Sequence, residues 1–356
     1  MKETATSPHR LTIEREGSTT NPMSDISPSA IPSLADRVRA VNVEGAIVGA
    51  HFLGATPVFV LGEEALLFAG DDGARRVAVH AGAILSSAAD ETRIVTGGDD
   101  GFVVATDAAG EHCSLGADEK KRWIDHVALG PDGAVAWSAG KTASVRLKSG
   151  EMKTLDAPST VAGLAFAPKG LRLAIAHYNG ATLWFPKASA APEKLEWKGS
   201  HLGIAFSPDG RFLITTMQEP MLHGWRLADG KHMRMSGYSA RVRSLGWTAD
   251  GKYLATSGSE QLILWPFEGK DGPMGKQPRL MAPSEARVSV VACHPRQPVV
   301  AAGFSGGTVM LVRIDDGAQI LVKREGGSPV SALAWAAKGQ ALAFGTETGE
   351  GGVLNF

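Results

Sequence analysis

Short apolar runs separated by turn residues fill the chain from about residue 37 onward, and the clearest pair lies between His201 and Phe267. The first of the pair reads Leu202-Gly203-Ile204-Ala205-Phe206, turns at Ser207-Pro208-Asp209-Gly210, continues Arg211-Phe212-Leu213-Ile214-Thr215-Thr216, and ends Met221-Leu222-His223-Gly224-Trp225. The second reads Val242-Arg243-Ser244-Leu245-Gly246-Trp247, turns at Thr248-Ala249-Asp250-Gly251, continues Lys252-Tyr253-Leu254-Ala255-Thr256-Ser257, and ends Gln261-Leu262-Ile263-Leu264-Trp265. Runs this short, rich in β-branched and aromatic residues, predict strands rather than helices. The Asp-Gly between the first two runs is a hairpin signal, because glycine reaches positive φ without steric cost.

The two copies lie about forty residues apart, the period of a four-stranded propeller blade. Eight copies can be counted, their innermost strands at 47–52, 83–87, from 123, 161–166, 202–206, 242–247, 288–293 and 330–335. An outer strand follows all but the last, at 76–79, 112–115, 152–155, 194–197, 232–235, 279–281 and 319–322. The eighth unit ends with the chain at Phe356, while an unassigned strand at 37–42 precedes the first. The prediction is an all-β fold: a single closed β-propeller of eight four-stranded blades, the N-terminal strand completing the last blade and removing the exposed edges. Seven blades is the alternative, with the weakly patterned first unit as the one falsely counted. The propeller spans 34–356. Residues 1–33, rich in Ser, Thr, Pro and charge, are expected to be a disordered lead, with either Met1 or Met23 as the start.

Composition narrows the function classes. Hydrophobic content of 44% with 43 glycines suits many strands joined by many turns. A formal net charge of −1 provides no global field for nucleic acid or an anionic membrane. Cys113 and Cys293, the only cysteines, cannot build a disulfide framework, so a reducing, cytoplasmic setting is expected. The N-terminus has no apolar signal core, and no apolar run approaches the roughly 20 residues that span a bilayer.

The strand, Ser-Pro-Asp-Gly, strand, Leu-Trp pattern resembles the WD40-repeat family. The match is good at Phe206-Ser207-Pro208-Asp209-Gly210 and Leu264-Trp265, fair at Phe166-Ala167-Pro168 and Leu183-Trp184, and weak in the first two units. No unit carries the Trp-Asp dipeptide: Trp184, Trp225 and Trp265 are followed by Phe185, Arg226 and Pro266. The Gly-His signature is approached only by Lys198-Gly199-Ser200-His201. These departures imply a divergent member, of bacterial type. They also imply that the family's buried His–Ser–Asp–Trp network is missing from most blades, which apolar packing then holds.

The resemblance places partner contacts at the entry to the innermost strand and at the turn joining the second and third strands. On this chain those positions are Trp123, Asp125, Arg241, Arg243 and Arg287 for the entries, and Asp99, Tyr178 and Glu260 for the turns. An exposed Trp near arginines is a composition typical of interaction hot spots. The remaining aromatics, Phe52, Phe166, Phe206, Trp247 and Trp335 at one strand position and Trp184, Trp225 and Trp265 at another, read as core.

Chemistry has fewer candidates. Met217, Met221, His223, His232, Met233 and Met235 could hold a soft metal if they converged, but packing between blades explains flexible thioethers equally well. Gly97-Gly98-Asp99-Asp100-Gly101 lacks the Gly-Lys-Ser/Thr ending of a phosphate loop and the later Glu of a calcium loop, and reads as a turn. His51 and His126 fall on innermost strands and could face the channel. No nucleophile elbow or zinc-helix motif is present. The expectation is a non-catalytic scaffold without cofactor or metal, binding a protein or peptide partner through loops on one face, with no role for nucleic acid or membrane. The competing reading is a metal-handling protein or propeller enzyme using His, Met and Asp groups near the channel or in the fifth blade.

Overall fold

Strands form where the apolar runs predict them. The computed structural model describes residues 31–356, in which the only helical turns are Ala35–Arg37 and Pro131–Gly133. The lead assigned to 1–33 therefore lies almost wholly outside the described residues. In the first unit the four antiparallel strands are Ile47–Leu53, Thr56–Leu61, Ala65–Gly70 and Gly73–Ala78. The other units repeat this order. The turns between first and second strands are built as the sequence suggests. Ser207 Oγ donates to Asp209 Oδ1 (2.6 Å) and accepts from Phe212 N–H (2.9 Å), and Gly210 sits at φ +75°. Thr248, Asp250, Tyr253 and Gly251 repeat the arrangement.

The ring closes as expected. Arg39–Asn42 pairs antiparallel with Glu350–Asn355, with Arg39 opposite Val353 and Val41 opposite Gly351, so the N-terminal strand supplies the fourth strand of the last blade. The residues just before it stitch on to the neighbouring blade: Leu34 N–H donates to Leu321 C=O and Leu321 N–H to Pro32 C=O, both at 2.8 Å.

Hydrogen bonding joins the strands into seven continuous sheets, six of four strands and one of six. The expectation of eight four-stranded blades, with seven as the alternative, thus meets seven hydrogen-bonded sheets in which the fourth and fifth units, and not the first, are joined through one shared strand. Leu173–Trp184 runs through a fold-back at Asn179-Gly180 (φ +66° and +139°), which brings His177 Nε2 to 2.9 Å from Thr182 Oγ1. Glu193–Phe206 is also unbroken: 193–200 pairs back on the fourth unit, and from His201 onward it pairs with Phe212–Met217 of the fifth. No loop parts the two units, because Gly199 (φ +103°) bends the strand without ending it.

The core is divided among eight apolar clusters, each shared by adjacent units. One holds Val58, Leu66 and Phe68 of the first unit with Ile84 and Ile94 of the second, and another joins Ile47 and Phe59 to Ala343 and Val353. Each buried side chain of this size contributes about 1.5–3 kcal/mol. The tightest contacts repeat. Ile47, Ile84, Ile124, Val161, Val242, Val288 and Val330 are buried at the start of seven units, and His201 takes the place in the fifth. In three cases the anchor is seated on a glycine of the preceding unit. A Cβ on Gly97 would lie 2.5 Å from Ile124 Cγ2, one on Gly303 2.6 Å from Val330 Cγ1, and one on Gly345 would collide with Ile47.

Polar ties supplement this packing in some units, each built from fewer or other groups than the His–Ser–Asp–Trp network. In the second unit His80 Nδ1 lies 3.0 Å from Asp100 and its Nε2 2.8 Å from Thr96 Oγ1. In the sixth, Trp265 Nε1–H donates to the Tyr238 hydroxyl (2.7 Å), itself 2.9 Å from Thr256 Oγ1, so a tyrosine stands in for the histidine. In the fifth, His201 links Thr215 Oγ1 (2.7 Å) to the Trp197 carbonyl (3.0 Å).

Replacing Gly345 with Val should lower stability by about 2 kcal/mol or more, since overpacking of this kind costs about 1–3 kcal/mol and the contact joins the two ends of the ring. Urea unfolding measures it. An unchanged midpoint would mean that the first and last units can part to admit a side chain.

Candidate functional site

The buried anchors decide what faces the channel. Ile124 is buried while Trp123 before it is exposed, and Val242 is buried between a half-buried Arg241 and an exposed Arg243. A second device acts just inside. In six units the pairing between the first and second strands slips at the channel end, at Ile47/Gly49, Ile84/Ser86, Ile124/His126, His201/Ile204, Val288/Val290 and Val330/Ala332. Such bulges bend a strand and re-aim the extra residue. Five of the residues passed over, Val48, Leu85, Asp125, Leu202 and Gly203, line one cavity.

That cavity has a volume of about 900 Å³ and takes residues from the innermost strands of the first six units, so it is the mouth of the axial channel. Four of the eight residues singled out in the sequence line it: Trp123, Asp125, Arg241 and Arg243. Trp123 is 61% exposed. A second cavity of about 260 Å³ adjoins it, sharing Arg241 and Arg243 and adding Arg287, Ser305 and Glu347. Asp99, Tyr178 and Glu260 line neither cavity and stand on the strand-joining turns. Asp99 packs against Gly82, Tyr178 is exposed at the fold-back of the fourth unit, and Glu260 accepts from Ser239 Oγ at 2.9 Å. The Ser239 hydrogen bond, with Arg287 adding its charge, holds the Glu260 carboxyl below its ordinary range. Sequence reasoning missed Val48 and Leu85. Their signal was the apolar doublets Ile47-Val48 and Ile84-Leu85, which break strand alternation where one residue is buried and the next is turned to the channel.

His126 also lines the mouth; burial lowers its pKa while neighbouring Asp125 acts the other way. His51 is hydrogen-bonded to Ser87 Oγ (2.8 Å), and burial takes it down to about 4. His294 accepts from the N–H groups of Arg296 and Gln297 and lies 3.2 Å from the Gly339 carbonyl, a structural role. The run Gly97 to Gly101 is the turn expected, with Asp100 bound to His80 and accepting from Phe102 N–H.

The Met- and His-rich stretch of the fifth unit does not converge. Met233 and Met235 are buried in the apolar cluster shared with the sixth unit. Both His201 nitrogens are already engaged. His223 is buried, stacked on Trp197 (4.4 Å between ring centroids) and edge-on to Trp225 (4.6 Å), and its ring lies parallel to His232 at 5.6 Å. Among the described residues no three His, Cys, Asp or Glu side chains are grouped to hold a metal ion. Burial, with His201, His232 and Arg234 nearby, pushes His223 down to about 3.

Comparison with known proteins agrees with this architecture. The family profile described as "WD domain, G-beta repeat" matches residues 231–265. WD repeat-containing protein 1-B of Xenopus laevis is 31% identical over 77 residues, 21% of this chain and 13% of that protein. Protein groucho of Drosophila melanogaster is 24% identical over 140 residues, 37% of this chain and 19% of that protein. The matches thus span less than a fifth of either relative's length. Among solved structures, the computationally designed Ika8 protein superposes with a TM-score of 0.73 at 17% identity, covering 88% of this chain and 98% of that one, a likeness of fold.

The buried His223 predicts a pH dependence. Its folded pKa is depressed, so the unfolded chain takes up a proton as pH falls below about 6.5 while the folded chain does not until about 3. Stability contributed by the neutral ring is therefore complete above 6.5 and is lost as pH falls through that window. Between pH 7 and 5 this residue should cost about 2 kcal/mol. Urea titrations of His223→Phe at both pH values should show the decline reduced by that amount relative to the unaltered chain; an equal decline would show that this ring does not resist protonation.

Proposed function

The chain is a WD40-repeat β-propeller, and on that premise we propose that it is a non-catalytic scaffold holding a protein or peptide partner over the channel mouth. One observation carries the reading: a single large cavity gathers side chains from six units, and four residues expected to meet a partner line it together. Trp123 supplies exposed aromatic area, and Arg241 and Arg243 supply directional donors, the combination that concentrates binding energy at interfaces. Arg287, Asp99, Tyr178 and Glu260 belong to the surrounding rim, where contacts select orientation more than they add affinity. The rigid ring suits such work, since residues from distant parts of the chain are held in place before the partner arrives.

The reading needs no cofactor or metal. The competing proposal needs His and Met groups that converge in the fifth unit, where Met233 and Met235 instead pack into the apolar cluster shared with the sixth. No helix among the described residues is long and apolar enough to cross a membrane. Cys113 and Cys293 are free thiols, and the cytoplasm is the compartment we assign.

Affinity pull-down from cells of origin, comparing the unaltered chain with Trp123→Ala and Arg243→Ala, tests the site. Both residues are exposed, so the variants should keep their folded circular-dichroism spectra and melting temperatures. Partner recovery should fall about tenfold for each, as expected of hot-spot truncation. Equal recovery by folded variants would remove the mouth as the contact surface.

A further inference from the structure

The mouth has two chemically different flanks, and we infer that it selects a peptide segment carrying an acidic side chain beside a large apolar one. The inference rests on the channel-mouth reading above and adds the partner's chemistry to it. Val48, Leu85 and Trp123, from the first three units, form the apolar flank and are 49%, 38% and 61% exposed. Large hydrophobic side chains left open on one cavity are surface that a partner can cover, at a gain of about 25 cal/mol per Å².

The opposite flank is cationic. Arg241 and Arg243 enter from the sixth unit, and Arg287 joins them across the adjoining cavity. Several arginines elsewhere on the ring are matched, among them Arg76 with Glu64, Arg122 with Asp118, Arg226 with Asp229 and Asp271, and Arg313 with Asp316, whereas the mouth gathers three that are not. Among the described residues no carboxylate forms an ion pair with Arg241, Arg243 or Arg287. Arg241 rests on a neutral acceptor, Gln218 Oε1, at 2.9 Å. Glu260, near enough to feel Arg287, is bound to Ser239.

Guanidinium groups without a carboxylate partner present fork-shaped donors that match a carboxylate in two parallel hydrogen bonds. Bordering them with apolar surface lowers the local dielectric and strengthens that attraction. A run of phosphates fits less well, because Glu347 lines the cavity that holds the three arginines and Asp125 lines the facing side of the mouth, and both would repel a continuous polyanion. A single acidic side chain can be seated on the arginines while its apolar neighbour reaches Trp123.

The test is selection of random dodecapeptides displayed on phage against the immobilised full chain. Enriched peptides should carry Asp or Glu within two positions of a Trp, Phe or Leu. Their synthetic copies should lose about tenfold in affinity on Trp123→Ala and on Arg243→Glu, and selection on the Arg241→Glu, Arg243→Glu double variant should instead enrich Lys and Arg. Peptides lost on Trp123→Ala but showing no acidic bias, or unmoved by the charge reversal, would overturn the inference while the mouth stands as a binding site. Peptides indifferent to all these substitutions, or no enrichment at all, would overturn both.

Discussion

The seat of one unit's first strand against its predecessor's second is the contact on which the molecule depends. Its unit is a β-branched anchor lying on a glycine, as Ile124 does on Gly97 and Val330 on Gly303. The last instance differs only in where it falls on the chain: Ile47 lies on Gly345, the Ser331 hydroxyl donates to the Ile47 carbonyl, and Val41 belongs to the strand that completes the last blade. In an open array each unit could leave with the loss of one neighbour's contacts. Closure makes every interface a condition for the others, and residues about three hundred positions apart must meet before the ring gains any of it. The cavity inherits that rigidity, because six units each supply part of its wall.

The same contact also makes the site. An anchor that is buried at the strand entry forces its neighbours toward the channel, and the bulge that follows turns out one residue more. Trp123, Arg241, Arg243, Val48 and Leu85 are thus displayed by the residues that hold the ring together. A substitution at an anchor would disturb the cavity and stability together, whereas one at a displayed residue leaves the buried anchors in place.

Much of this was legible in the sequence. The forty-residue repeat, the Asp-Gly turns, the missing eighth outer strand and the orphan strand before the first unit led to a closed ring whose termini share a blade. The entry positions led to Trp123, Asp125, Arg241 and Arg243 in one cavity. What could not be read has a common cause. A bulge is a relation between two strands, and nothing in Ile84-Leu85-Ser86 alone says that the pairing slips there. The merger of the fourth and fifth units depends on Gly199 bending a strand that its neighbours keep paired, and the sequence shows that glycine as an ordinary turn. The stacking of His223 on Trp197 joins strands of different units, so where the rings of the Met- and His-rich stretch lie could not be read from its sequence.

The polar ties explain why the sequence signature is faint while the fold is plain. The second unit keeps the histidine, hydroxyl and carboxylate of one half of the family's network, and the sixth keeps a hydroxyl and the tryptophan of the other, with Tyr238 carrying the hydrogen bond that a histidine would. A tie of this kind contributes about 1 kcal/mol, against 1.5–3 kcal/mol for each large side chain in the cluster beside it. Any one member can therefore be exchanged, provided the replacement leaves no buried donor or acceptor without a partner. Selection acting on the geometry of eight interfaces will keep the packing and let the letters of the motif drift apart from blade to blade. That is the pattern here: the family profile recognises residues 231–265, which contain Tyr238, Thr256 and Trp265, while the fold extends over 88% of the chain.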